Sequence, residues 1–240
     1  MNLQHALDNN VALYRAVLAA HGAAGRLEEY FWTSDEPVPP YYSNLVTRTA
    51  EVGEAAQSAR LRALTARPPK PEWGFKDSSG RLDPQMLQGL GLRQLFEARW
   101  YGWEAGSAER SETPADIEFE NSDDEAALAA WETAWQQSSP APGIRVFPFS
   151  LLGDANLCCL TAKRRGRVVG GALLNLSSES VGLSNVLALG GLDPDALNNA
   201  AARERDPDRH VLGYGPADEL DALAALGFRD LGGLSVWVAA

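Results

Sequence analysis

Toward its end the chain reads Ala222-Leu223-Ala224-Ala225-Leu226-Gly227-Phe228-Arg229-Asp230-Leu231. The alanine- and leucine-rich part is typical of a helix, and Gly227 is typical of the left-handed residue that ends one. We expect Phe228 to pack back on the helix, and the apolar residues 234–239 to form a strand. The stretch therefore predicts a helix that leads directly into a strand, with the glycine as the junction.

A similar junction occurs at Gly91, and it belongs to a longer internal match. Ser43 lies 31 positions before Gly74, and Ser184 lies 29 positions before Gly213. Short matches in the same order favour a duplicated strand–helix–strand–helix–strand unit. The alternative is two unrelated segments that share common turn chemistry. The matched pairs are 43–46 with 184–187, 73–75 with 212–214, 90–95 with 226–231, and Trp100 with Trp237.

Strand and helix patterns alternate toward the end of each half of the chain. Residues 104–114 are polar and contain glycine, serine and proline, which is typical of a linker. The sequence therefore predicts an N-terminal domain over residues 1–103 and a C-terminal domain over residues 115–240. The predicted fold class is α/β or α+β, with a mixed, mostly antiparallel sheet flanked by helices in two related halves.

Charge and composition exclude several kinds of protein. The formal net charge is −11, of which −1 falls in residues 1–110 and −10 in residues 111–240. A nucleic-acid partner is not expected, because neutralising phosphates needs a basic surface. No apolar run is long enough to span a membrane.

The adjacent Cys158 and Cys159 favour a reducing compartment, so we expect a cytoplasmic location. The three histidines have no metal-ligand spacing, so no metal is predicted.

The residues quoted above resemble the GNAT N-acetyltransferase superfamily. The stretch at 222–231 looks like that superfamily's C-terminal helix and Gly-Phe turn. Residues 166–175 resemble its central hairpin, and residues 181–189 resemble the strand that lines its acyl-CoA cleft. The resemblance covers a whole domain over residues 115–240. Residues 30–103 are similar only to the latter part of one, so a tandem, partly duplicated arrangement is implied.

The resemblance implies which residues would bind acetyl-CoA. In the superfamily the backbone of the cleft strand binds the pantetheine arm. The corresponding residues, together with the two glycines of the loop that follows, are Val186, Leu187, Ala188, Leu189, Gly190 and Gly191.

The phosphate-binding loop of the superfamily is altered in both halves. After Gly191 the chain continues with Asp193, Pro194 and Asp195, which place carboxylates where the phosphates would lie. In the N-terminal half Arg48 is the better candidate phosphate contact, although its spacing to Gly53 differs from the superfamily's pattern. A solvated helix N-terminus is the favoured alternative for Arg48.

The general acid expected from the resemblance is also missing. Many members of the superfamily carry a tyrosine four residues before the turn glycine, where this chain has Leu223 and Leu87. Tyr214 is the substitute candidate for protonating the thiolate, with a packed sheet aromatic as the alternative. Glu118 or Glu120 could supply a base, although alternating strand carboxylates usually form a solvated face.

Two functions follow from these observations. The first is an N-acetyltransferase that moves the acetyl group of acetyl-CoA to an unidentified small amine. The second is a catalytically inactive GNAT-like protein that binds an acyl-CoA, another ligand or a protein partner. Whether the chain is an enzyme stays open at this stage, and a homodimer is compatible with either function.

Overall fold

Helices and strands alternate along the chain, and the computed structural model describes residues 1–51, 54–65, 73–105, 114–141, 143–194, 196–197, 200–201, 208–225 and 227–240. The helices are α1 (Leu3–Ala20), α2 (Glu54–Leu64), α3 (Pro84–Gly89), α4 (Glu125–Trp135) and α5 (Leu220–Ala225); residues 194, 196, 197, 200 and 201 are also helical. The strands are β1 (Arg26–Leu27), β2 (Phe31–Thr33), β3 (Leu45–Thr47), β4 (Gly74–Asp77), β5 (Leu92–Trp103), β6 (Glu118–Asn121), β7 (Leu157–Arg164), β8 (Arg167–Leu176), β9 (Ser180–Ala188), β10 (His210–Gly215) and β11 (Arg229–Ala239).

Both predicted glycine junctions are confirmed. Gly91 has a φ of +79° and Gly227 a φ of +83°, the left-handed conformation that glycine adopts at little energetic cost. The backbone N–H of Phe228 donates to the carbonyl oxygen of Leu223 at 3.0 Å, which closes the end of the helix. The Phe228 side chain is buried. Each glycine therefore turns a helix directly into a long strand.

Local capping explains where two other helices begin. Asp83 accepts a hydrogen bond at the start of α3 and Pro84 occupies the first turn, as the sequence predicts. For α4 the sequence predicts a cap at Ser122 or Asp123, and this prediction is wrong, because Asp124 is the capping residue. The Ser122 hydroxyl is buried and lies 2.6 Å from that of Thr161.

The described chain divides into two compact units that do not follow the order of the sequence. The N-terminal unit contains residues 2–101, 215–220 and 230–240, and the C-terminal unit contains residue 1, 102–214 and 221–229. This grouping differs from the predicted division at 104–114, because β11 lies with the strands of the first half. Residues 106–113 of the predicted linker, as well as Gly53, Asp195 and Leu226, lie outside the described residues.

The sheet of the N-terminal unit has the strand order β1-β2-β3-β4-β11-β5. β3 and β4 are parallel, whereas β4 and β11 are antiparallel. Neighbouring residues in the strands face opposite sides of the sheet. One side carries an apolar cluster with α2 and α3, formed by Phe31, Leu45, Leu61, Phe75, Leu82, Leu87, Leu92 and Trp237. On the other side α1 packs on the sheet, with the ring of Tyr14 6.1 Å from that of Trp32.

The sheet of the C-terminal unit has the strand order β10-β9-β8-β7-β6. Its pairs are antiparallel except for β9 with β10. Adjacent glycines in β8 leave room for close packing, since Leu192 of the loop after β9 packs against Gly170 and Trp131 of α4 packs against Gly171. The predicted fold class is therefore confirmed: an α+β fold with a mixed sheet flanked by helices.

None of the helices described is both long and apolar enough to traverse a lipid bilayer. In the same part of the chain, histidine, cysteine and carboxylate side chains form no group of three or more that could hold a metal ion.

Candidate functional site

The parallel ladder between β9 and β10 ends before either strand does. It pairs Ser180 with His210, residue 181 with 211, and Gly182 with Leu212. β9 continues to Ala188 and β10 to Gly215. Beyond Gly182 and Leu212 this ladder does not continue, so the backbone groups on the facing edges of the two strands are not paired with one another. We call this region, bounded by 183–188 and 213–214, the cleft.

A bulge in β9 lies on the edge of the cleft. The register of β8 with β9 shifts between Gly171, opposite Leu187, and Leu173, opposite Ser184. Two residues of β9, Asn185 and Val186, therefore face a single residue of β8. Asn185 has a φ of +51°, a left-handed conformation that asparagine tolerates better than most side chains. A bulge of this kind bends its strand and redirects its backbone groups.

The structure brings the predicted cofactor-binding residues of β9 to the cleft edge. The Val186 side chain is 43% exposed, whereas Leu187 is buried in the core. The N–H of Leu189 donates to the carbonyl oxygen of Val169 in β8 at 2.7 Å. Because successive N–H groups of a strand point to opposite edges, that of Ala188 points away from β8 and toward the cleft. The backbone at 186–188 can therefore offer hydrogen bonds to an extended ligand.

Gly190 and Gly191 form an open turn after β9. Their φ values are +59° and +75°. An Nη1 group of Arg164 donates to the carbonyl oxygen of Gly190 at 3.1 Å, so a guanidinium borders this turn. The same side chain lies 2.8 Å from a carboxylate oxygen of Asp116. Asp193 is exposed just beyond the turn, so both signs of charge lie near the predicted phosphate position.

Tyr214 lies in β10, two residues beyond the last paired position. It is half-buried, and desolvation raises the pKa of its hydroxyl above the ordinary value of 10.0. The phenol is protonated at neutral pH, which is the state that a proton donor needs, and the raised pKa makes it a weaker acid than a solvated tyrosine. The position beside the cleft and the protonation state are compatible with the predicted role of acid.

Arg48 lies in the N-terminal unit and is engaged by the backbone. Its Nη1 donates to the carbonyl oxygen of Glu28 at 2.8 Å, and its own carbonyl accepts from the side chain of Gln4 at 2.8 Å. These hydrogen bonds hold Arg48 in a loop that lies next to β2. Its predicted contact with a phosphate stays a prediction.

The tip of the β7–β8 hairpin is basic, and acidic neighbours neutralise part of its charge. Its basic residues are Lys163, Arg164, Arg165 and Arg167. Arg165 and Gly166 have φ values of +52° and +74° and form the two-residue turn, which is the conformation favoured in tight hairpins. Lys163 forms an ion pair with Glu120 of β6. Glu120, a candidate general base in the sequence, is therefore held by a lysine on the neighbouring strand.

Asn185 is the site feature that sequence reasoning missed. The sequence shows an asparagine within an apolar strand, and asparagine is enriched among residues with positive φ. That signal was available, but the repeat aligns Asn185 with Asn44, which is not left-handed. Because both positions are asparagine, the residue type does not show which of them has the positive φ.

The fold recurs in solved structures of low sequence identity. A GCN5-related N-acetyltransferase from Kribbella flavida matches with a TM-score of 0.63 and 12% identity, over 97% of this chain and 95% of the other. A GCN5-related N-acetyltransferase from Sphaerobacter thermophilus matches with a TM-score of 0.54 and 12% identity, over 98% and 92%. A tandem GNAT protein from the clavulanic acid biosynthesis pathway matches with a TM-score of 0.52 and 13% identity, over 87% and 74%.

These likenesses bear on the fold and not on the reaction. No family model matches the chain, and no curated protein matches it in sequence. The chain has the fold of the GNAT proteins, and the sequence-based resemblance is confirmed at that level. One fold can carry several functions, so the activity has to be argued from the cleft.

Proposed function

We propose that the chain binds acetyl-CoA in the cleft and transfers the acetyl group to a small amine. The observation that carries this proposal is the early end of the β9–β10 ladder, at Gly182 and Leu212, beside the bulge at Asn185. A strand edge without a ladder partner pairs readily with the amides of an extended ligand. The pantetheine arm of coenzyme A is such a ligand. The GNAT fold of proteins named acetyltransferases is the second support.

The chemistry would use backbone groups more than side chains. The free amine attacks the thioester carbon, and negative charge develops on the carbonyl oxygen. A backbone N–H near the bulge would stabilise that oxygen. The carbon–sulfur bond then breaks, and the leaving thiolate takes the phenolic proton of Tyr214. The proton lost by the amine passes to water, from which Tyr214 is reprotonated.

The phosphates of coenzyme A would lie at the turn of Gly190 and Gly191. Arg164 supplies a positive charge there, because its guanidinium donates to the carbonyl of Gly190. Asp193 opposes it, and Pro194 lacks an N–H group. We therefore expect weaker phosphate binding than a loop with free N–H groups would give.

A titration of the purified chain with acetyl-CoA tests the proposal. Calorimetry should show submillimolar binding, followed by release of free thiol when the correct amine is supplied in a screen. Asn185→Gly retains access to the left-handed conformation, so binding should persist. Asn185→Val disfavours that conformation, so binding should weaken at least tenfold. Wild-type protein that binds nothing at millimolar acetyl-CoA would refute the proposal.

A second candidate function is ligand binding without turnover. Leu223 supports this alternative. It is buried and apolar at the position where many GNAT proteins have the tyrosine that acts as general acid. In that case acetyl-CoA or another acyl-CoA binds, but no amine in the screen releases thiol. The two candidates thus differ in the second step of the same experiment.

We also propose a cytoplasmic location, whichever of the two functions applies. It is supported by Cys158 and Cys159, neither of which is joined in a disulfide bond. The homodimer stays a prediction, and gel filtration with light scattering would test it.

A further inference from the structure

Two parallel strand pairs recur in the chain, one in each compact unit. β3 and β4 are separated along the chain by α2, and β9 and β10 are separated by the helical residues between 194 and 201. Partners lie 30 positions apart in both pairs, as in Leu45 with Phe75 and Ser180 with His210. The topology therefore agrees with the sequence repeat.

The two pairs differ at the position of the cleft. The repeat aligns Leu45 with Val186 and Phe75 with Tyr214. Leu45 and Phe75 are direct partners in the ladder of the N-terminal unit. In the C-terminal unit the ladder ends at Gly182, four residues before Val186. The N-terminal pair is thus closed at the place where the C-terminal pair is open.

Asn44 holds the N-terminal pair together. Its side chain is buried, and its Oδ1 accepts a hydrogen bond from the backbone N–H of Gly74, the first residue of β4, at 3.3 Å. Its Nδ2 donates to the carbonyl oxygens of Ser34 at 3.2 Å and Glu36 at 2.9 Å. The aligned asparagine in the other unit, Asn185, is instead the left-handed residue of the bulge.

Both faces of the N-terminal pair are covered as well. Phe75 lies in the apolar cluster that Leu61 of α2 shares. On the opposite face Lys76 is buried, and its Nζ lies 2.9 Å from Oδ1 of Asn10 in α1. A thioester arm therefore has neither a gap nor an exposed strand face to bind in this pair.

From this difference we propose that the chain carries one acyl-thioester site, in the cleft of the C-terminal unit, and that the N-terminal pair is a closed counterpart locked by Asn44. This inference rests on the proposed function for the nature of the ligand. The closed state of the N-terminal pair rests on the ladder and on Asn44 alone.

Hydrogen exchange of the ligand-free protein tests the closed state independently of any ligand. Amides of 45–47 and 74–77 should exchange at least about 100-fold more slowly than that of Ala188, because the former lie in ladders on both sides whereas the N–H of Ala188 points toward the cleft. Equal protection of Ala188 and the ladder amides would overturn the inference, whether or not acetyl-CoA binds.

Calorimetry with acetyl-CoA then counts the sites. We expect one molecule per chain, and Asn185→Val should weaken that binding at least tenfold while the exchange pattern of 45–47 and 74–77 stays unchanged. Two molecules per chain, or binding by Asn185→Val that is as tight as that of the wild type, contradicts the single site. An absence of binding to the wild type counts against the proposed function, whereas the exchange experiment still decides whether the N-terminal pair is closed.

Discussion

Lys76 offers the sharpest quantitative prediction, because its ammonium group is buried in the N-terminal unit. The side chain lies in β4 beneath α1, with Nζ 2.9 Å from Oδ1 of Asn10. Nζ also lies 4.8 Å from the ring centroid of Trp100 and 5.8 Å from that of Tyr14. These contacts replace only part of the lost water, so desolvation lowers the pKa of Lys76 from 10.5 to about 7.

The lowered pKa makes folding depend on pH in a defined direction. Between about pH 7 and 10.5 the unfolded chain binds a proton at Lys76 that the folded chain does not. The free energy of unfolding therefore rises with pH in this window, by about 1.4 kcal/mol per pH unit for this one group. Below pH 7 both states are protonated and the full penalty remains. From pH 7.5 to 9.5 the gain from Lys76 is about 2.5 kcal/mol.

Urea unfolding of wild type and Lys76→Met at pH 7.5 and 9.5 measures this gain. Met removes the titrating group, so its change with pH should be smaller than that of the wild type by about 2.5 kcal/mol. Asn10 loses its partner in this variant, but that loss is the same at both pH values. Lys163→Met, at the half-exposed end of β7, is the matched control and should follow the wild type. If Lys76→Met and the wild type change equally with pH, the amine is not buried as described.

Three further predictions concern single side chains. Gly171→Ala should lower stability by about 2 kcal/mol in urea unfolding, because a Cβ there collides with Trp131 and the β7 backbone; an unchanged midpoint contradicts the close packing. Tyr214→Phe should lower the rate of thiol release at least tenfold without a matching loss of acetyl-CoA binding, and an unchanged rate removes Tyr214 as the acid. Arg99 lies 3.0 Å from Asp230 and lowers the pKa of that carboxyl, so its stabilisation is present above pH 4 and lost as pH falls through the lowered pKa. Both side chains are partly exposed, so Asp230→Asn should cost less than about 1 kcal/mol in urea unfolding at pH 7, and that cost should shrink as the pH falls through the lowered pKa.

Local signals in the sequence predict much of this fold. A glycine between an alanine-rich helix and an apolar strand has few alternative conformations, so Gly91 and Gly227 mark their junctions correctly. The overall α+β class then follows from the order of the elements.

Other features depend on partners that are distant in sequence. β11 is an apolar strand, and its pattern does not reveal that it pairs with β4. Lys76 has a residue type that is usually exposed, so its burial is invisible before the position of α1 is known. The cleft depends on where a ladder stops, and no residue type encodes that directly. Asn185 contributes through its backbone conformation, which its identity permits but does not require.

The position of β11 also has a consequence for how the protein is made. Residues 2–101 of the N-terminal unit leave the ribosome about 130 residues before residues 230–240 do. At ordinary translation speeds that interval is on the order of ten seconds. During it, β4 and β5 are without the strand that lies between them, and Trp237 is missing from the cluster around Phe75. The first residues synthesised are therefore among the last to complete their core, and chaperone binding during translation should concentrate on β4 and β5.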